Sequence, residues 1–380
     1  MKTRAQLPRV AVIAAGPEII GGHSVQAAAL TAGLREEGVD AFPLAINRAF
    51  PRGLRWAQRW PGLRTLVNEG LYASALAALA TVDVAHIFSA SYWSFLLAPV
   101  PAMLAARRFG ARVVLHYHSG EVADHLDRWG WRVHPWLDLA DDIVVCSEFQ
   151  REVFARHGRR ARVIPNVVDV TRFAFRPRTT IGPRLLSNRT LERPYRVDVV
   201  LEAFRRIRER RPDATLTVAG TGSDEPRLRA AALAIDPDRI RFVGAVPSDQ
   251  MPSLLDAHDV FLNAAVVDNQ PVSLIEALAA GLAVVSTPTG GIAEMVEDGV
   301  TGRLVPADTP AAMARAVLDV LDQPDATHWM TRRARATTDR YQWKSVWPLW
   351  RQAYGVGETR SAPGEAARIN GAVHAIGERF

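Results

Sequence analysis

The sequence predicts an α/β fold of two βα domains in series with a cleft between them. Three observations carry that prediction. Short apolar runs of the kind buried in parallel sheets alternate with longer helical patterns along the chain. The alternation breaks once, around Val170–Pro183 (VTRFAFRPRTTIGP), where periodicity is lost and Arg, Thr and Pro accumulate, and then it restarts. At 380 residues, 48% hydrophobic and 23% charged, the chain is long enough for two domains, each with its own core.

In order, Arg9–Ala15 (RVAVIAA) reads as a buried parallel strand. It runs into a glycine loop, Gly16-Pro17 then Gly21-Gly22-His23-Ser24, and a helix over Val25–Glu37 that stops at Gly38. The loop is not G-x-G-x-x-G, so it does not specify a dinucleotide. Further strands are expected at Val39–Ala45, Val84–Ser89, Arg112–His118, Ile143–Ser147 and Arg162–Pro165. Beyond the break they recur at Leu185–Asn188, Thr215–Ala219, Arg241–Gly244, Val260–Ala265, Ala283–Ser286 and Arg303–Val305. Helices lie between them at Val199–Arg210, Pro226–Leu233, Met251–Ala257, from Pro271, and at Ala311–Leu321. The aromatic, amphipathic Tyr341–Trp350 needs a surface to pack on, and the small, polar end of the chain is expected to be disordered. The division is therefore 1–170, a linker at 171–183, 184–338, a closing helix at 339–355 and a tail at 356–380.

Composition narrows the class. A single cysteine, Cys146, gives no internal disulfide and no Cys-based metal cluster, and fits a reducing compartment. No secretory leader is expected. The longest apolar candidate, Phe95–Ala106, is too short to span a bilayer and contains Pro99 and Pro101. Net charge of +6 and a pI near 9.9 allow nucleic acid, anionic lipid or phosphorylated small molecules as partners. Without zinc-finger spacing or an aromatic RNA-binding strand, nucleic acid is set aside. The expected location is cytoplasmic, with peripheral contact at the inner face of the membrane.

Three stretches are candidates for chemistry. Val266–Gly281 (VVDNQPVSLIEALAAG) follows a strand and reads as a buried helix, capped by Asn269 or Gln270, with Pro271 in its first turn and Gly281 at its stop. It carries Glu276 inside and Asp268 at its mouth, where open α/β sheets bind ligands and where backbone N–H groups face an anion or a sugar hydroxyl. The competing reading is a structural Glu276 bonded to an internal Arg. His116 and His118 share one face at the end of a strand; two histidines without a third ligand do not make a zinc site. Finally, Arg48–Arg64 interleaves Arg52, Arg55 and Arg59 with Trp56 and Trp60 and contains no acid. That pattern suits an anionic membrane surface, at about 1 kcal/mol per basic side chain, against the alternative of a solvated excursion.

Taken together, these residues resemble the GT-B glycosyltransferases: two Rossmann-like βα domains facing a central cleft, with a C-terminal helix returning to the N-terminal domain. The likeness is greatest to the retaining family 4 group and covers about Arg9 to Tyr354. It is carried by the Gly21-Gly22 loop, His118, Val163-Ile-Pro-Asn166, the Asp268–Glu276 spacing with Glu276-Ala-Leu-Ala-Ala-Gly281, Thr289-Gly-Gly291 and Gly299-Val-Thr-Gly302. The resemblance implies an N-terminal acceptor side and a C-terminal nucleotide-sugar side. Glu276 would hold the ribose hydroxyls; Asp268, with the backbone at Asn269, Gln270 and Pro271, the donor sugar; Arg189 the diphosphate. Val246 would lie beside the base, Gly21 and Gly22 would let their loop close, and His118, or else His116, would face the sugar.

The chain departs from the family twice. Asp268 stands where Glu is usual, and Tyr195 stands where a second phosphate ligand, Lys, is usual, so Arg196 or Arg193 would replace it. The implied reaction is hexosyl transfer from a nucleotide diphosphate sugar with retention, metal-independent and without a cofactor. Asp236-Pro-Asp238, formally D-x-D, is assigned to a turn. The acceptor is expected to be lipid-linked or at a membrane surface, with a soluble acceptor as the alternative. Competing functions are a catalytically silent nucleotide-binding scaffold and a sugar-nucleotide epimerase. A phosphorylase needs a cofactor lysine, and only Lys344 follows the linker.

Overall fold

The computed structural model describes residues 7–16 and 22–356. Gly21 and the tail beyond residue 356 therefore lie outside the described residues. The first domain contains β1 (Arg9–Ala14), α1 (Gly22–Glu36), β2 (Asp40–Ala45), α2 (Pro61–Ala75), β3 (Val84–Ser89), α3 (Trp93–Leu97), α4 (Pro99–Phe109), β4 (Arg112–Tyr117), α5 (Val122–Leu137), β5 (Asp142–Val145), α6 (Glu148–Arg156) and β6 (Arg162–Val163). Its six strands are parallel, in the order β2-β1-β3-β4-β5-β6.

The period of two along β1 explains the layering. Ala11 and Ile13 enter one core with Tyr72, Leu79, Met103 and Leu126. Val10, Val12 and Ala14 enter another with Leu30, Leu34, Val346 and Trp350.

The second domain runs β7 (Arg184–Asn188), α7 (Val197–Arg210), β8 (Thr215–Ala219), α8 (Glu225–Ile235), β9 (Ile240–Gly244), α9 (Met251–Asp256), β10 (Val260–Asn263), α10 (Val272–Ala280), β11 (Ala283–Ser286), α11 (Ile292–Met295), β12 (Arg303–Leu304), α12 (Pro310–Asp322) and α13 (Pro324–Thr337). Its parallel sheet has the order β12-β11-β10-β7-β8-β9. Helix α13 has no counterpart in the sequence reading. The last helix, α14 (Trp343–Ala353), crosses back and lies against α1. The approach is close: a Cβ on Gly33 would stand 2.5 Å from the Trp343 ring.

Most of the stretch expected to be a linker is bolted to the second domain. Asp259, fully buried, receives Arg176 at 2.9 Å, Arg178 at 3.3 Å and Arg184 at 2.7 Å. Arg178 is itself buried and donates to the carbonyls of His258, Ala280 and Leu255. The arginines that broke the periodicity are thus internal ligands of a carboxylate, not a solvated tether. The two chain crossings between the domains run side by side, with the Val168 N–H donating to the Tyr341 carbonyl at 2.9 Å.

Candidate active site

A cleft of about 830 Å³ opens between the domains at the C-terminal ends of both sheets. Gly22, His118, Arg189, Val246, Asp268, Asn269, Gln270, Pro271 and Glu276 line it.

Arg189 leaves the end of β7 and is held by a glycine turn after β8. A Cβ on Gly220 (φ +119°) would stand 2.0 Å from the Arg189 carbonyl oxygen, and one on Gly222 2.2 Å from that of Leu191. This Gly-x-Gly turn is a site element that the sequence reading passed over. The Arg189 guanidinium pairs with Asp268, both being almost buried. It also lies 4.4 Å above the Tyr195 ring and 3.3 Å from Ser273 Oγ. Its Nε is buried without a partner among the described residues. Burial pushes the Tyr195 hydroxyl pKa up.

Arg196 is not brought to the cleft. It caps α7 in the left-handed conformation (φ 47°), and its guanidinium is taken by Asp198, at 3.2 Å, and Asp308. The side chain of Arg193, exposed on the same turn, makes no hydrogen bond or ion pair with a described residue, although its charge acts on Asp224.

Asn269 and Gln270 do not cap α10; Pro271 precedes it without a side-chain cap. Their side chains turn to the first domain instead. Asn269 Nδ2 lies 2.7 Å from Cys146 Sγ, and the Ser147 hydroxyl donates to Asn269 Oδ1. Gln270 Nε2 donates to the Cys146 carbonyl at 2.8 Å and its Oε1 accepts from the Asn166 N–H at 2.6 Å. Glu294 of the second domain accepts the N–H groups of Glu148, at 2.8 Å, and Phe149, at 2.6 Å, which open α6. The N–H groups of Val272 and Ser273 in the first turn of α10 have no intrahelical acceptor and border the cleft.

The Glu276 carboxylate forms no hydrogen bond or ion pair with a described residue. Arg172, the cation that acts on it, gives its guanidinium to Ser248 at 3.0 Å. Burial pushes the Glu276 carboxyl up to about 7, partly opposed by Arg172. An internal Arg bonded to Glu276 is thus not found among the described residues.

On the opposite wall, His118 stacks on Phe88 at 5.0 Å, and its Nε2 is buried without a partner among the described residues. His23, also lining the cleft, comes to 5.2 Å from it. Burial lowers the pKa of both histidines. Between the two candidates, His118 reaches the cleft, whereas His116 lies behind it, bonded to His86 at 3.1 Å. His23 went unremarked as a site residue because only the fold places it beside a strand some ninety positions away.

Asp236 accepts the N–H groups of Asp238 and Arg239, both at 3.1 Å, before β9 begins, at the end of the sheet away from the cleft. Among the described residues no group of three or more His, Cys, Asp or Glu is arranged to hold a metal. Arg52, Arg55, Trp56, Arg59 and Trp60 are all exposed, Trp60 to 66%. No described helix is long and apolar enough to cross a membrane.

Two facing parallel sheets with a switch-point cleft between them define the two-domain class known as GT-B. HepE of Anabaena in complex with UDP-glucose superposes with a TM-score of 0.71 over 91% of this chain and 98% of that one, at 16% identity. Sucrose-phosphate synthase of Thermosynechococcus elongatus gives 0.73 over 91% and 99%, at 18% identity; at such identities the likeness is one of fold. The family model Glycosyltransferase Family 4 matches residues 20–172, and Glycosyl transferases group 1 matches residues 183–323. The chain belongs to this glycosyltransferase family.

A phosphatidyl-myo-inositol mannosyltransferase of Mycolicibacterium smegmatis is 29% identical over 77% of this chain and 75% of its own length. A glycogen synthase of Mycobacterium tuberculosis is 34% identical over 62% of this chain, which spans 59% of that relative.

Proposed function

We propose that the protein transfers a hexosyl group from a nucleotide diphosphate sugar to an acceptor, with retention of anomeric configuration. The observation that carries this reading is the Arg189–Asp268 pair at the open first turn of α10, with an unpartnered Glu276 deeper in the same cleft. A half-buried carboxylate that lines the cleft with no partner among the described residues is left for a ligand to complete, and a pair of ribose hydroxyls would do so. Val246 flanks the base. Arg189 and the N–H groups of α10 take the diphosphate, whose charge grows as the bond from the anomeric carbon to the phosphate oxygen breaks. Asp268 and the backbone at Asn269–Pro271 hold the sugar, and His118 faces it from the first domain. The acceptor oxygen attacks on the face the leaving group vacates and its proton passes to the departing phosphate. No step requires a metal.

Tyr195 offers no charge to the second phosphate and Arg196 is locked in ion pairs, so Arg193 is the cation that swings in on binding. The acceptor is lipid-linked or lies at a membrane surface. Exposed Trp56 and Trp60 among Arg52, Arg55 and Arg59 support this, as does the phosphatidyl-myo-inositol named for one relative. The location that follows is cytoplasmic and peripheral.

A second reading, a silent nucleotide-binding scaffold, is favoured by Tyr195 in the place of a lysine, which leaves Arg189 as the one Arg or Lys among the described residues lining the cleft. Thermal shift with UDP, GDP and ADP on wild type and Glu276→Ala tests the site. A nucleotide at 100 times its dissociation constant stabilises by about 2.7 kcal/mol, and the shift should vanish in the variant. Absence of any shift sinks the donor site. A shift without product from the matching nucleotide sugars and lipid acceptors leaves the scaffold.

A further inference from the structure

Behind the cleft lies a buried file of side chains of which the transfer proposed above uses only the outermost. The His118 ring lies 4.1 Å, centroid to centroid, from His116. His116 Nδ1 is 3.1 Å from His86 Nε2, and His86 Nδ1 is 2.8 Å from the Tyr354 hydroxyl. His86, His116 and Tyr354 are all buried. The file joins β4 to β3 and then to the end of α14, the helix that returns from the second domain.

Hydrogen-bond accounting fixes its direction. If the Tyr354 O–H donates to His86 Nδ1, the His86 proton sits on Nε2 and donates to His116 Nδ1. The His116 proton is then on Nε2, the one buried donor left without an acceptor. Reversed, the file strands the Tyr354 O–H and also leaves the His116 Nε2 lone pair empty. The first order leaves fewer groups unsatisfied and is assigned on that ground. Three titratable groups face His116: His86 from β3, His118 from its own strand and His23 from α1. The rings of Phe88 and Trp350 pack against it. No carboxylate is among these neighbours, so none favours a charge on His116.

We propose that Tyr354 and His86 are positioning residues: donating in series into Nδ1 of His116, they occupy the one nitrogen at which that ring could take up a proton, and so hold an uncharged imidazole against the cleft histidine. The inference rests on the reading that His118 faces the donor sugar. Burial, the first cause, and the neighbouring histidines already hold the His116 pKa well below the ordinary range; the file adds a geometric block, because a second proton requires the whole series to reverse.

The experiment is a nitrogen-15 NMR titration of the imidazoles in the full chain, run beside the pH profile of glycosyl transfer and nucleotide thermal shift. In the wild type, His116 should show its proton on Nε2 and should not titrate. Tyr354→Phe removes the donor into His86 Nδ1, and the two orders of the file then leave equal numbers of groups unsatisfied. His116 should then show its proton shared between Nε2 and Nδ1, and the acid limb of the transfer rate should move. His86→Gln, whose amide N–H reaches the place of Nε2, should keep the wild-type proton position, while His86→Leu should copy Tyr354→Phe. Loss of side-chain volume alone would not separate those two. If His116 keeps its proton on Nε2 alone in Tyr354→Phe, or if His86→Gln and His86→Leu give the same proton position, the proposal is overturned. A proton position that moves without any change in the transfer profile overturns the assignment of His118 and leaves the file standing. Loss of the nucleotide shift in wild type would instead overturn the donor site.

Discussion

On the second-domain wall of the cleft the side chains are charged and paired, Arg189 with Asp268 and Glu192 with the N–H of Ser223. The first-domain wall presents His23 and His118 backed by Phe88 and His116, rings that burial keeps neutral. In the proposed reaction Arg189 of the first set meets a leaving diphosphate, and the second set meets an uncharged sugar. The same contrast holds away from the cleft, where buried Asp259 ties Arg176 and Arg178 of the linker to the second domain, whereas Trp343, Trp350 and Tyr354 close the first. One side is organised by fixed charge, whose removal leaves a partner stranded. The other is organised by aromatic contact and proton placement, where the response to pH is the more telling probe.

Breaking the charged side should have the largest effects. Asp259→Ala strips Arg178 and Arg184 of their counter-charge and leaves Arg176 only Asp256; denaturant unfolding should show a loss of about 3–5 kcal/mol. Arg189→Gln removes a donor aimed at the leaving group and should slow transfer by about 10²–10³-fold. The double variant Arg189→Gln/Asp268→Asn should recover stability but not rate; recovery of rate would show that Arg189 acts only as a partner for Asp268.

Glu276 sharpens the comparison through pH. Its folded pKa, about 7, lies above the ordinary 4.5, so the unfolded chain ionises first. The ligand-free protein should therefore lose stability as pH rises from about 4.5 through 7, and Glu276→Gln should narrow that loss in melting curves. Smaller effects are expected on the exposed turn. Arg193→Ala should weaken nucleotide affinity several-fold, whereas Arg196→Ala should alter stability and leave affinity alone. Trp60→Ala should reduce binding to anionic vesicles at low salt by about 1 kcal/mol or less.

The sequence disclosed the charged side better than the neutral one, for a physical reason. Asp268 and Glu276 lie on a single strand-to-helix segment, and Arg189 ends a strand, so local pattern places them. His23 and Tyr354 reach His118 and His86 only through tertiary contact, which periodicity does not encode. Strand positions were legible because two-sided burial gives continuous apolar runs, as at Val84–Ser89 and Thr215–Ala219. Nothing local in the linker marks Arg176 and Arg178 as ligands of a buried carboxylate, because Asp259 stands some eighty positions away. Asn269 and Gln270 looked like caps because their side chains do bond locally in many helices; here the first domain outcompetes the helix end for them.

The return of α14 has a consequence for biosynthesis. Val346, Trp350, Ala353 and Tyr354 cover the face formed by Val10, Leu30 and Leu34, yet the ribosome makes them after the whole second domain. The domain begun first is thus the one completed last. Until residues 343–353 emerge, its apolar flank is open to chaperones and to neighbouring nascent chains, and a translation pause before Trp343 would prolong that exposure.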